Sequence, residues 1–577
     1  MIALEQLNSL PAAQFVAALH GIFERSPWVP ERVANARPFD SRFSLHEAMC
    51  NVVMQADVSE QLALIRAHPE LAGRAAVRGE LTPESTREQR AAGLSACTPE
   101  ELARIQALNA QYSRTFEFPF VLAVKGHTPA SVIAELEERI THSLESERSV
   151  ALRQIGRIAG FRLADLVSES LGSQCMAMAE RLARFSEQDD ALTCSYLTTA
   201  HLATAAQLRE WMLTAGLEIE TDAVGNVIGR LYSAKADAPT LITGSHYDTV
   251  VNGGKYDGRL GVLLPIAVAG HLKRSGAQLP FTLEIIAFAE EEGVRFKSTF
   301  LGSRAVVGSF HPAVLDSVDA NGLSMRDAML NAGLDPVKIS AATHDPKRTL
   351  GFVEVHIEQG PVLLSENLPL GVVTSIAGST RALVTITGLA GHAGTVPMNL
   401  RQDAAAAAAE LVLFVEQRCS QSSGLVGTVG RLEVPGGAVN VIPGRCELSI
   451  DVRAPDDEMR NSAYDDVVEQ SRRIAARRKV DIDIRKVLEV DSVPCASSLQ
   501  QRWAKSIQRI TAASSVRYLP SGAGHDAMMM SELTEVGMLF VRCGNGGISH
   551  HPAETMTASD AELASQVFTD FLLNFAV

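Results

Sequence analysis

"GSHYDTVVNGGKYDGRLG", Gly244 to Gly261, follows the run "TLI" one residue on and gathers one histidine, two aspartates and five glycines. Glycine weakens strands and helices, so the cluster reads as loop. A loop that leaves a buried strand is where open α/β folds mount their catalytic groups. His246, Asp248 and Asp257 are candidate functional residues if the rest of the chain supplies partners.

Outward from this stretch, strand-like runs ("NVIGRLY", "TLITG", "FTLEIIAFA", "GFVEVHI") alternate with helical ones ("GRLGVLLPIAVAGHLKRS", "QGPVLLSEN"). That alternation predicts an α/β unit with a partly parallel sheet, over 181–374 and again over 490–577. Residues 375–489 hold "RALVTITG", a helix in "RQDAAAAAAELVLFVEQRC", "RCELSIDVRAP" and a second helix near 457–477, which reads as a compact α+β insertion. Residues 1–165 carry apolar side chains at three- and four-residue steps and cap-like starts at Thr98-Pro99 and Thr128-Pro129, so they read as all-α. The stretch 166–180 is the expected linker. The chain is thus multidomain.

At 577 residues it is too long for one core. Its composition, 46% hydrophobic and 21% charged, is that of a soluble globular protein, and the formal charge of −15 argues against nucleic acid or an anionic membrane as partner. No apolar run approaches the roughly 20 residues of a membrane span. The start "MIALEQLNSLPAAQF" lacks the basic region of a signal peptide. Eight scattered cysteines without a C-x-x-C pair suit reduced thiols, hence a cytoplasmic location.

Divalent metals need lone pairs from neutral imidazole or carboxylate, brought together by the fold. Five separated places offer them: His246 in "SHYDT", with Asp248 able to orient it from behind; Asp257 in "KYDG"; Glu291 and Glu292 after "FTLEIIAFAE"; His356 in "GFVEVHIEQG"; and His550 with His551 in "GISHHPAE". Adjacent glutamates at a strand end point in different directions. One can bind metal while the other faces the substrate as a general base. Glu290 lengthens the acidic run and His551 doubles the histidine, so each motif has two possible registers. Lone histidines such as His142 and His271 read as ordinary surface or core residues.

The order H-x-D, D-G, E-E-G-x-R-F, H-I-E-Q-G, S-H-x-P-A-E resembles the M20 metallopeptidase-like amidohydrolases, in the branch of allantoate amidohydrolase, N-carbamoyl-L-amino-acid hydrolase and β-ureidopropionase. The resemblance covers about 175 to 577. It implies two divalent ions, zinc or manganese, held by His246, Asp257, Glu292, His356 and His550, with Asp257 bridging and Glu291 as the general base. It also implies a cis peptide after Asp257.

A ureido acid presents a carboxylate and a planar urea, which call for a forked cation and for amide or imidazole hydrogen bonds. Arg453 in "SIDVRAP", Asn440 in "GGAVNVIPG" and His392 in "LAGHAGTVPM" offer these; by spacing alone Arg453 could equally be a surface ion pair and Asn440 a turn residue. By the resemblance they bind substrate together with Gln359, and His392 reaches the partner's site in a homodimer joined through the inserted domain, which also closes as a lid. His525 and Asp526 in "SGAGHDAM" are expected to line the pocket.

The front end has its own polar cluster in "AHPELAG" and "LTPESTREQRAAGL": His68 before a proline, then Ser85, Glu88 and Gln89 within about one helical turn. With "FERSPWVPERVANARPF" and "RIAGFRLADL" it resembles 2-oxo-4-hydroxy-4-carboxy-5-ureidoimidazoline (OHCU) decarboxylase, an all-helical enzyme of urate breakdown. The resemblance implies cofactor-free decarboxylation with His68 and Glu88 catalytic, and Ser85, Gln89 and Arg162 binding substrate. Together the halves suggest a bifunctional purine-catabolic enzyme that makes S-allantoin and hydrolyses allantoate. The alternatives are hydrolysis of N-carbamoyl amino acids or ureidoglycolate, and a front end that serves only assembly.

Overall fold

The computed structural model describes residues 1–71, 97–125 and 127–576. The front end is helical, as its three- and four-residue apolar spacing requires. Helices α1 (Arg42–Gln55), α2 (Val58–Ala67) and α3 (Leu144–Leu166) enclose a core that includes Phe15, Leu45, Met49, Tyr112 and Ile155. Thr98 and Thr128 both close capping boxes, with proline in the first turn of each helix that follows. One feature escaped the sequence: Ile2–Ala3 pairs in parallel with Val167–Ser168, a bridge too short to show alternation.

The stretch read as a linker is ordered. Helix α4 (Leu171–Leu182) fills most of it, with Cys175, Met178, Ala179 and Leu182 buried. Its apolar face, rather than any Pro or Gly content, decides its fate.

Six strands then build most of a nine-stranded sheet: β1 (Glu218–Thr221), β2 (Val227–Leu231), β3 (Thr240–His246), β4 (Thr282–Phe288), β5 (Thr349–Ile357) and β6 (Leu370–Ile376). Helices α5 (Thr199–Ala215) and α6 (Leu260–Ser275) pack on one face. Both faces are covered, which is why β3 and β4 read as continuous apolar runs.

The chain leaves this sheet for a second one, of five strands, drawn from residues 378–490. Strands β7 (Gly378–Thr387), β8 (Val426–Thr428), β9 (Arg445–Ala454) and β10 (Asp481–Val490) run in spatial order β8-β9-β7-β10. Every other residue of β9 is buried, beneath α7 (Ala404–Ser420) and α8 (Asp457–Arg478), so this sheet is covered on one face only.

The return adds β11 (Val493–Pro494), β12 (Tyr518–Ser521) and β13 (Val536–Val541), giving the order β11-β6-β13-β5-β3-β4-β2-β1 with β12 beside β6. Strands β13, β5, β3 and β4 are mutually parallel neighbours, so their carboxyl ends share one edge. Helix α9 (Ala558–Leu573) packs on α4; a Cβ on Gly172 would run into the Ala558 carbonyl, and the Gly172 amide donates to Glu562 at 2.8 Å.

Among the described residues Arg37–Pro38 is the one cis peptide, so the bond after Asp257 is not cis; Gly258 makes that turn at φ +64° instead. All eight cysteines are unpaired, and no helix among the described residues is long and apolar enough to cross a membrane.

Candidate metal centre and front-end site

The shared strand edge carries the histidines and carboxylates singled out in the sequence. His246 ends β3, Glu291 and Glu292 follow β4, His356 is next to last in β5, and His550 lies in the loop beyond β13. The glycine-rich loop brings Asp257 into their midst. One oxygen of Asp257 is 3.3 Å from His356 Nε2 and 3.9 Å from His246 Nε2; the other is 3.0 Å from His550 Nε2. Glu292 completes the far side, 3.4 Å from His550 Nε2. Two triads result, His246/Asp257/His356 and Asp257/Glu292/His550, each with its donor atoms within 4.8 Å of one another. Asp257 belongs to both.

Asp248 fixes this arrangement from behind. Its carboxylate lies 3.4 Å from His246 Nδ1 and accepts the backbone amides of Glu291 at 3.1 Å and Glu292 at 3.2 Å. His246 Nδ1 also donates to the Asp248 carbonyl at 3.1 Å, so one residue orients the imidazole and the acidic pair together. The charges are crowded. Burial pushes Asp257 up, but His550, His356 and His246 pull harder and hold it below the usual carboxylate range. Burial and then Glu292 push Glu291 well above that range; burial, with Asp257 nearby, puts Glu292 at about 7. Buried carboxylates that repel one another, interleaved with imidazoles, are a donor set that divalent cations satisfy.

The geometry separates the paired residues. His550 faces Asp257, whereas the exposed His551 accepts the Ala553 amide through Nδ1. Glu290 is buried with neither carboxylate oxygen hydrogen-bonded, while Glu291 stands beside Glu292 and His246. His550 and Gln359 both hold left-handed backbone, at φ +54° and +55°, strain of the kind that gathers at functional sites. The Gln359 amide donates to both Asp257 oxygens, at 3.0 and 2.9 Å.

The expected substrate residues are less gathered. Arg453 is held by Asp451 and donates to the Gly522 carbonyl at 2.8 Å, which ties the inserted unit to the "SGAGHDAM" loop. His392 and Asn440 are exposed on neighbouring arms of a two-stranded ribbon, and neither hydrogen-bonds to the Asp257 cluster. His525 and Asp526 are both buried, His525 against the His356 ring at 4.4 Å between centroids and Asp526 accepting Ser303 at 2.6 Å. Apolar packing around "DAMMM" draws them inward.

Two residues went unremarked in the sequence. Glu354 is fully buried, accepting Ser245 Oγ at 2.6 Å and the Ala527 amide at 3.1 Å. It lies two residues before His356, so period-two alternation puts both on one face of β5. Glu554, the last residue of the quoted "GISHHPAE", reaches back to the Asp257 loop.

In the front end His68 ends α2, buried, with Nδ1 donating to the Leu64 carbonyl at 3.0 Å and Nε2 left with its lone pair. Burial lowers its pKa to about 4; Glu24 and Arg162 are the charges that act on it next. Arg162 pairs with Glu24 at 3.0 Å, both buried. Glu24, within the quoted "FERSPW", is the member the sequence did not single out. Ser85, Glu88 and Gln89 lie outside the described residues.

Comparison with known proteins agrees with this division. Residues 8–164 match the family model of OHCU decarboxylase, and residues 242–574 that of peptidase family M20/M25/M40. Allantoate deiminase 2 of Glycine max is 39% identical over 441 residues, 71% of this chain and 91% of its own. The N-carbamoyl-L-amino acid amidohydrolase of Geobacillus stearothermophilus is 39% identical over 357 residues, 62% of this chain and 87% of its own. The crystal structure of AtUAH in complex with glyoxylate superposes with a TM-score of 0.57 at 34% identity, covering 70% of this chain and 99% of that one. Sequence, strand-edge geometry and these likenesses converge: the chain belongs to the M20/M25/M40 peptidase family, as a hydrolase of the amidohydrolase branch that carries an OHCU decarboxylase domain ahead of it.

Proposed function

We propose that the chain is a bifunctional enzyme of urate breakdown, decarboxylating OHCU to S-allantoin in its front end and hydrolysing allantoate to ureidoglycine (then ureidoglycolate), ammonia and CO2 in its back half. The observation that carries the reading is the fusion itself: an OHCU decarboxylase model over 8–164 ahead of an M20 hydrolase over 242–574 whose relatives include allantoate deiminases. N-carbamoyl amino acids are the second reading, favoured by the equally identical Geobacillus relative.

In this reading His246, Asp257 and His356 hold one divalent ion and Asp257, Glu292 and His550 a second, zinc or manganese. When bound, such ions polarise a ureido carbonyl and acidify a water. Glu291 then takes the proton from the attacking water and returns it to the departing nitrogen. Arg453 pairs with the substrate carboxylate when the inserted unit, residues 375–489, closes as a lid. Asn440 and His392 act across a homodimer. Their exposed ribbon, flanked by solvent-exposed Met398, Leu400 and Val439, supports that role.

In the front end, neutral His68 turns Nε2 to the substrate, and Arg162 holds its carboxylate. His68 and Glu88 manage the proton that replaces CO2 on the ring carbon.

The test is ammonia release from allantoate and from N-carbamoyl amino acids by metal-reconstituted protein, beside OHCU decay followed optically. Selective release that Glu291→Gln abolishes, and OHCU decay that His68→Ala abolishes, are the expected results. Release from carbamoyl amino acids alone would move the substrate; OHCU decay unchanged by His68→Ala would make the front end an assembly module.

A further inference from the structure

A cavity of about 490 Å³ lies where the helical front end meets the hydrolase, walled by α1, α3, α4, α5 and α6. None of the residues assigned above to metal, proton transfer or substrate lines it. Its volume is within the range of small-ligand sites.

The charges on its wall do not balance. Glu169 accepts the Arg42 backbone amide at 2.7 Å and stands 3.7 Å from its guanidinium. Glu210 pairs with Arg157 at 2.9 Å, and Glu47 with Arg181 at 3.2 Å. Every glutamate on the wall is thereby engaged, and two arginines are left without a carboxylate: Arg153, which donates to Ser149 Oγ at 2.7 Å, and Arg274. Among the described residues Arg274 makes no hydrogen bond or ion pair. Asp165 and Glu169 act on it from beyond pairing distance, whereas burial and the neighbouring Arg42 work against its charge. An anion in the cavity would give Arg274 the partner it lacks.

The apolar side of the cavity is aromatic. Phe43 and Trp211 meet edge to face, at 6.4 Å between centroids and 87° between planes, which makes a flat-walled corner. A planar body fits such a corner better than an alkyl chain.

We propose that this interdomain cavity binds a small carboxylate with a planar body, its charge opposite Arg274 and its plane against Trp211 and Phe43. The site is placed to couple the two halves. Helix α6, which carries Arg274, begins at Leu260 directly behind Asp257, and α3, which forms the opposite wall, carries Arg162.

The experiment titrates the full-length, metal-loaded protein with 4-fluorobenzoate, followed by fluorine NMR and by tryptophan fluorescence. One saturable site is expected. Arg274→Gln weakens it about tenfold or more, the loss of one charge-assisted contact. Trp211→Phe removes the fluorescence response, and Arg453→Ala changes neither readout. If Arg274→Gln also lowers the melting temperature, the Trp211→Phe result decides. The absence of saturable binding, binding indifferent to Arg274→Gln and Trp211→Phe, or binding lost with Arg453→Ala would each overturn the proposal, the last by placing the probe in the hydrolase site.

Discussion

Glu554 holds Asp257 by its backbone: one carboxylate oxygen accepts the Asp257 amide at 3.2 Å and the Tyr256 amide at 2.8 Å. Ser549 donates to the other oxygen at 2.8 Å, so the residue before His550 and the loop that carries Asp257 share one anchor. Glu554→Gln is expected to lower metal affinity or turnover 10- to 100-fold, about the effect of removing a group that positions a ligand. Metal content after dialysis and ammonia release measure it. Gly254→Ala should act through the same anchor, since a Cβ there would strike the Glu554 carboxylate.

Gly258→Ala should be worse. The residue sits at φ +64°, and an added Cβ would run into the His246 ring. Loss of hydrolysis is expected with the front-end decarboxylation intact, a pairing that global unfolding would not give. Both activities measured on one preparation decide it.

Asp248→Asn keeps the shape of the side chain but discards its charge, weakening the hold on His246 Nδ1 and on the Glu291 and Glu292 amides at once. A fall of about 10- to 100-fold in metal affinity is expected. Calorimetric titration of the stripped protein with zinc provides the number; unchanged affinity would remove Asp248 from the site.

His201 sets an acid limit on the hydrolase half. It is fully buried, Nε2 donating to the Ala289 carbonyl at 2.7 Å and Nδ1 without a partner, and burial lowers its pKa from 6.5 to about 4. The folded state therefore resists the proton that the unfolded state accepts. Its stabilisation is complete above pH 6.5, falls away as the pH drops, and is gone below about 4. His201→Gln keeps a donor and does not titrate. The melting temperature of the wild type relative to this variant should decline between those two pH values; a constant difference would contradict it.

Much of this was legible in the sequence because the hydrolase writes its chemistry at strand ends. The runs "TLITG" and "GFVEVHI" announce buried parallel strands; His246 is the last residue of the first strand and His356 the next to last of the second. Asp257 was legible because Gly253, Gly254 and Gly258 crowd the segment around it and break regular structure there. What stayed hidden depends on distance in the chain. Glu24 meets Arg162 across 138 positions, and Glu554 meets Asp257 across 297, separations over which neither periodicity nor spacing carries information. The order of the stretch 166–180 is a further case: Cys175, Met178, Ala179 and Leu182 lie at helical spacing, but what buries that face, α9 packed against Gly172, is far away in the chain.

The parallel sheet edge also sets an order of events during synthesis. His246 emerges from the ribosome before β5 and β6 have been made, and β13, which leads to His550, must then insert between those two strands. The front-end core, complete by Val167, can close while the hydrolase is still being translated. The front-end core can therefore form first, and the hydrolase site stays incomplete until β13 and the His550 loop have been made.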